Sequence, residues 1–240
     1  FRNITENSAG LLSESGVFLC IATNFQQFGI MYTTVGKAGF ITTLYIIFVP
    51  IAGIFFRKKV NAIVWVGAGL AAVGMYLLCM TESLSLGMGD MLVFLCAVAF
   101  TAHIMLIDYY SPKTDGAIVS CIQFTVVGVI CTIGAFIWGE PTFGQIQEGL
   151  GALLYAGVLS CGVAYTLQIV GQKGVNPTIA ALIMSLESVV ATVSGWIAFK
   201  IGFLRTDQTM TARQIMGCVL VFVAVILVQF PKEWFTRKKA

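Results

Sequence analysis

Residues 161–199 read CGVAYTLQIVGQKGVNPTIAALIMSLESVVATVSGWIAF, two long apolar runs joined by a short turn of Gly, Asn and Pro. In the second run stands one carboxylate, Glu187, with no other charge within about two helical turns. An ionised carboxylate near the middle of a lipid layer costs about 2.5 kcal/mol or more, so such groups normally face a wet cavity or a partner.

Composition places these runs in lipid. Apolar residues make up 58% of the chain and charged residues 10%, against roughly half and a quarter in soluble domains. Bounding each apolar run by its nearest charges or Pro and Gly clusters predicts eight spans, at about 16–35, 38–56, 62–80, 90–109, 116–138, 150–172, 177–199 and 211–230. Each is near the roughly 20 residues that a helix needs to cross the hydrocarbon layer. Backbone amides in lipid must bond within the segment, and the alternating pattern of a membrane barrel is absent. The expected fold class is an all-α integral membrane protein, a bundle of about eight transmembrane helices.

Composition also excludes. A net charge of +3 is too small to propose nucleic acid as a partner. The seven cysteines all lie inside apolar runs, with no CxxC and no neighbouring His; they read as small hydrophobes, not as a metal or disulfide framework. No cofactor is expected, and without a GxxxxGK[ST] loop any energy must come from gradients.

An internal repeat organises the rest. Sliding the chain by 142 residues sets Ala22 on Ala164, Gln26 on Gln168, Gly29 on Gly171, Ala38 on Ala180, Ile41 on Ile183, Leu44 on Leu186, Gly53 on Gly195 and Lys58 on Lys200. An eight-residue insertion in the later copy then restores register, with Gly67 on Gly217 and Val73 on Val223. The division that follows is 1–82, a partial first repeat of three helices, and 88–240, a second repeat of five helices with a basic tail. The later copy has two helices, 90–109 and 116–138, that the earlier copy lacks, and a short polar stub stands ahead of residue 16. The expectation is therefore a complete protein with two further helices in front. Five helices per copy would put the copies in opposite orientations across the membrane. Charge agrees: alternation gathers ten of the fourteen basic residues, including Arg57–Lys59 and the tail PKEWFTRKKA, on one side, read as cytoplasmic. Trp234 and Phe235 of that tail read as interfacial anchors.

The runs YTTVGKAGFITTLYIIFVPIAGIFF (32–56), VWVGAGLAAVGMYLL (64–78), GDMLVFLCAVAFTAHIMLID (89–108) and GVAYTLQIVGQKGVNPTIAALIMSLESVVA (162–191) together resemble the EamA-type branch of the drug/metabolite transporter superfamily. The resemblance implies ten helices in two inverted five-helix repeats and both chain ends in the cytoplasm. The activity it implies is export of small metabolites or amphiphilic drugs across a plasma membrane, in a bacterium the inner membrane. Two departures stand out. The Gly-Glu that commonly follows the fourth and ninth helices of that family is replaced by Arg57-Lys58 and by the Lys200–Gln208 loop, and the usual Pro after the ninth-helix Glu is Ser188.

Candidate site residues follow from polarity inside apolar runs. Glu187 either lines a cavity, where desolvation would suit it to carry protons, or is bonded at a helix seam. Gln168 and its repeat mate Gln26 are amides that can bind a polar solute or join helices. Tyr165 lies three residues before Gln168, on one helical face, as Asn24 does before Gln27. Tyr45 occupies the repeat position of Glu187, with Thr42 and Thr43 beside it, hydroxyls that can equally bond back to the preceding turn. His103, the one histidine, is not a metal site without ligands at coordinating spacing; it is a buried packing residue or a titrating cavity residue. Gly67, Ala71 and Gly74, and Gly128 and Gly134, read as close-packing positions. Pro177 opens a helix, whereas Pro50 lies inside one and should bend it.

The expected function is a secondary transporter working by alternating access, with a small-molecule substrate, the lipid bilayer as solvent and protons as the candidate coupling ion; a homodimer is left open. The rivals are an intramembrane acid–base enzyme using Glu187 and His103, and a membrane scaffold that transports nothing.

Overall fold

The structure, a computed structural model, describes residues 6–58, 60–80, 87–139, 142–203 and 209–229. The basic tail with Trp234 and Phe235, and the charges Arg2, Lys59, Glu82, Glu140, Arg205 and Asp207, lie outside the described residues. Within them the chain is helical: α1 (Glu6–Ile30), α2 (Val35–Thr43), α3 (Tyr45–Phe55), α4 (Ala62–Cys79), α5 (Met88–Tyr110) and α6 (Gly116–Trp138) come first. After two short helices, α7 (Phe143–Glu148) and α8 (Leu150–Leu154), comes a π-helical segment, Tyr155–Tyr165. It leads into α9 (Thr166–Gln172), α10 (Pro177–Met184), α11 (Leu186–Lys200) and α12 (Ala212–Gln229).

Taking collinear pairs together, seven spans among the described residues are long and apolar enough to cross a membrane, from Val35–Phe55 to Ala212–Gln229. The protein is an all-α, multi-pass membrane protein. The first expected span differs from expectation in two ways. Its helix starts at Glu6, so the residues just ahead of 16 are helical rather than a loose stub, and it ends at Ile30. It is also absent from the seven apolar spans, because Glu14, Asn24, Gln26 and Gln27 interrupt its hydropathy. It is nevertheless packed along both α5 and α6.

Two helix starts paired by the 142-residue shift are capped alike. Thr34 caps α2 by accepting from Lys37 N at 3.4 Å, and its mate Asn176 caps α10 by accepting from Thr178 N at 3.0 Å. Both helices are then interrupted, the first at Leu44 and the second at Ser185. The hydroxyls of the matched residues Thr43 and Ser185 bond back to the carbonyls of Gly39 at 2.7 Å and Leu182 at 2.6 Å. Such back-bonding competes with the amide ladder and bends helices. The interruption at Leu44 is six residues before Pro50, so the proline sits within the continuous helix α3 rather than at the break.

After α3, Arg57 takes a left-handed φ of 57°, and Lys58 N donates to Gly53 O at 2.8 Å. After α11, Gly202 takes φ 78°, and Phe203 N donates to Ala198 O at 2.9 Å. Both are left-handed helix ends that favour glycine, which is present at Gly202 but replaced by Arg57 after α3.

The core lies along α2–α5, α10 and α12. Ile46, Ala71, Leu182, Ala224 and Val225 form one cluster, and Val49, Ile104, Met105 and Ala181 another. α4 and α12 meet backbone to backbone: a Cβ on Gly217 would stand 2.6 Å from Gly74 O. Gly67, Ala71 and Gly74 thus serve close packing as expected. Gly128 meets nothing within 4 Å, and Gly134 meets only Trp138 of its own helix.

α5 is the most covered span and 150–172 the least. Ion pairs fix α5 at both ends. Lys37 Nζ at the start of α2 lies 3.6 Å from Asp90 Oδ2, which also accepts from Gly87 N, while Thr33 donates to Asp90 Oδ1. Lys58, just past α3, pairs with Asp108.

Candidate functional site

A cavity of about 590 Å³ opens between the π-helical segment with α9 on one wall and α10 with the start of α11 on the other. Tyr165, Gln168, Gln172, Met184 and Glu187 line it, with small residues Ala164, Gly171 and Ala180 between them. The local folding explains the convergence. Tyr165, Gln168 and Gln172 follow three- and four-residue spacing and so share a helical face. Glu187 falls in the first turn of α11, directly after the interruption at Ser185, and its side chain is exposed to the cavity rather than sealed in a seam.

The surroundings hold this wall in shape. The Tyr165 ring meets Phe124 of α6 edge to face, centroids 5.8 Å apart. Ser120 of α6 is bonded to Thr166 at 2.6 Å. Glu187 is close enough to interact electrostatically with both Tyr165 and Tyr45. Tyr45 itself packs against the buried cluster of Val49, Ile104, Met105 and Ala181 and is not part of the cavity lining.

The other candidates lie elsewhere. Gln26 Nε2 donates to Thr42 Oγ1 at 3.4 Å, joining α1 to α2. Asn24 turns toward α6, where its amide donates to Cys131 Sγ at 3.6 Å, whereas Gln27 is exposed. His103 is fully buried in the α1–α5 seam; its Nδ1 donates to Ser15 O at 3.1 Å, and its Nε2 meets no partner among the described residues. The cavity therefore gathers Glu187, Tyr165 and Gln168, has Tyr45 beside it, and leaves out Gln26, Thr42, Asn24, Gln27 and His103. Among the described residues no group of three or more His, Cys, Asp or Glu side chains could hold a metal.

A membrane bundle with a carboxylate-bearing cavity beside an interrupted helix fits transport, and comparison with known proteins decides the family. The model of the EamA-like transporter family matches residues 87–230. The chain belongs to that family. A relative from Archaeoglobus fulgidus, described as an uncharacterized transporter, is 28% identical over 219 residues, covering 89% of this chain. The chain spans 66% of that relative's length. A protein solved by crystallography superposes with a TM-score of 0.71 at 13% identity, over 92% of this chain and 76% of its own, a likeness of fold.

Within this EamA-like chain, one cavity residue escaped the sequence reading. Gln172 is buried, its Nε2 donates to Met184 Sδ at 3.4 Å, and its Oε1 meets no partner among the described residues. The signal was present, since Gln172 lies four residues after Gln168 on the same face. An acceptor left dry in lipid is costly, and this one belongs to a residue that lines the cavity.

Proposed function

We propose that this protein is a secondary transporter that exports small organic solutes across the plasma membrane, binding them in the cavity bounded by Tyr165, Gln168, Gln172 and Glu187. The observation that carries the reading is Glu187: the only carboxylate between residues 150 and 200, it opens onto a cavity next to a helix interruption. Interrupted helices in corresponding positions of two repeats are the recurring location of transporter binding sites, because the freed backbone groups and a polar side chain meet at mid-membrane. A carboxylate flanked by tyrosine rings suits either a solute's ammonium group or a proton. The amides of Gln168 and Gln172 can orient the rest of the solute through hydrogen bonds.

The matched caps at Thr34 and Asn176 and the matched interruptions support two repeats, 1–82 and 88–240. In this proposal they are inverted, the C-terminal tail is cytoplasmic, and rocking of one against the other exposes the cavity to each side in turn. Proton coupling places the exchangeable proton on Glu187.

The test is solute flux in vesicles carrying the protein, with and without a proton gradient, for wild type and Glu187→Gln. The glutamine variant keeps the shape and removes the charge. Flux that is lost or no longer driven by the gradient, in a protein that still folds, supports the reading. Unchanged flux with unchanged pH dependence refutes the carboxylate's role, and an absence of flux across a broad metabolite panel favours the scaffold.

A further inference from the structure

Composition treats the seven cysteines alike, but packing singles out two. Cys20 of α1 and Cys131 of α6 lie 111 residues apart in sequence, with sulfur atoms 3.8 Å apart. The Asn24 amide nitrogen spans them, 3.4 Å from Cys20 Sγ and 3.6 Å from Cys131 Sγ, and is itself fixed by donating to Cys20 O at 2.8 Å. The two thiols differ in access: Cys20 is buried, whereas Cys131 is exposed on the outer surface of a membrane-spanning helix. One turn before Cys20, the missing side chain of Gly16 lets α1 lie against the backbone of Gln123 on α6, so the seam is tight where the thiols meet.

We propose that Cys20 and Cys131 form a modification site for membrane-soluble hydroperoxides, which oxidise the pair to a disulfide joining α1 to α6. The sulfur of the exposed Cys131 thiol attacks the terminal peroxide oxygen, and the thiol proton passes to the departing alkoxide. An S–O bond forms, the O–O bond breaks, and an alcohol leaves. Cys20 then attacks the resulting sulfenic sulfur, forming S–S, breaking S–O and releasing water. Overall, two thiols and one hydroperoxide give one disulfide, one alcohol and one water, the sulfurs losing the two electrons that the peroxide gains. A disulfide needs about 2.05 Å between sulfurs, so they close by roughly 1.8 Å from their 3.8 Å separation.

The linkage has a mechanical consequence. α6 holds the cavity wall through Ser120–Thr166, and Gly116 lies against Val170 of α9. α1 is bonded to α5 through Ser15 and His103. The disulfide would therefore tie the α1–α5 seam covalently to the helix that supports Tyr165.

The experiment treats the 240-residue chain in lipid vesicles with cumene hydroperoxide, blocks remaining thiols with N-ethylmaleimide and maps peptides by mass spectrometry. Cys20→Ser and Cys131→Ser are run in parallel. The expected result is one dominant, reducible Cys20–Cys131 linkage, with both residues lost from the alkylated pool and the linkage absent from either serine variant. The wild-type map stands by itself if a variant does not fold. Methionine oxidation with Cys20 and Cys131 both still alkylated would overturn the proposal, as would linkages forming equally among the other cysteines. None of these readouts depends on transport, so the proposal stands or falls apart from the proposed function.

Discussion

Gly217→Ala should destabilise the protein by about 1–3 kcal/mol, the usual cost of overpacking a filled interior. The added Cβ would stand 2.6 Å from Gly74 O, 2.7 Å from Leu78 N and 3.1 Å from Leu78 Cα. All three are backbone atoms of α4, so no rotamer change relieves them. Carbon contacts are most favourable at about 3.5–4.0 Å, and the helices must part by roughly 0.5–1 Å, enough to forfeit a quarter to a half of each dispersion contact along the seam. That seam holds Met75, Leu78, Cys218 and Val221, all buried. Gly69→Ala is the control: its Cβ would meet nothing within 4 Å, and alanine is the better helix former by up to about 1 kcal/mol. Thermal unfolding in detergent, followed by the reactivity of the emerging cysteines, orders the two variants. Gly217→Ala melting at or above Gly69→Ala would falsify the backbone-contact reasoning.

Further changes test the charges and turns. Lys37→Met should cost about 3–5 kcal/mol by taking the cation from the buried Asp90 carboxylate, and Lys37→Met with Asp90→Leu should recover much of it; melting of the single and double variants measures this. Lys58→Ala should cost no more than about 1 kcal/mol, because solvent screens a pair whose Lys58 side chain is 35% exposed; a loss as large as that at Lys37 would refute the distinction. Arg57→Gly should raise stability by about 1 kcal/mol by relieving the left-handed backbone, whereas a lower melting point would show that the arginine side chain matters more. Glu187→Gln should abolish or uncouple flux while leaving the melting point near that of wild type, which separates a cavity role from a packing one.

How much of this was legible depended on the range of the interaction. Seven spans are readable because hydropathy is a local sum, and the start of α10 because Pro177 is local chemistry, whereas the cap at Thr34 falls inside the apolar run 16–35 and was not. The convergence of Tyr165, Gln168 and Glu187 was legible for a similar reason: spacing sets the first two on one face, and an isolated carboxylate in an apolar run requires a cavity or a partner. The start of α1 was not, because its polar residues resemble a loop while the helix continues through them. Pro50 is the conspicuous cue for a bend, yet the interruption falls beside Thr43, whose hydroxyl competes with the amide ladder. Asn24 facing Cys131, and His103 bonded to Ser15, depend on how α1 is wedged between α5 and α6. No single stretch of sequence encodes that wedge.

The two ion pairs on α5 bear on which parts of the molecule can move. Lys37–Asp90 ties its first turn to the start of α2, and Lys58–Asp108 ties its last turn to the end of α3. Held at its first turn by a buried pair and at its last by a screened one, the helix resists sliding at one end and gives more readily at the other. α5 belongs to the 88–240 division and α2 and α3 to 1–82, so these pairs couple the two divisions: if one rocks against the other, as proposed, the Lys37–Asp90 pair must part or α5 must travel with α2 and α3.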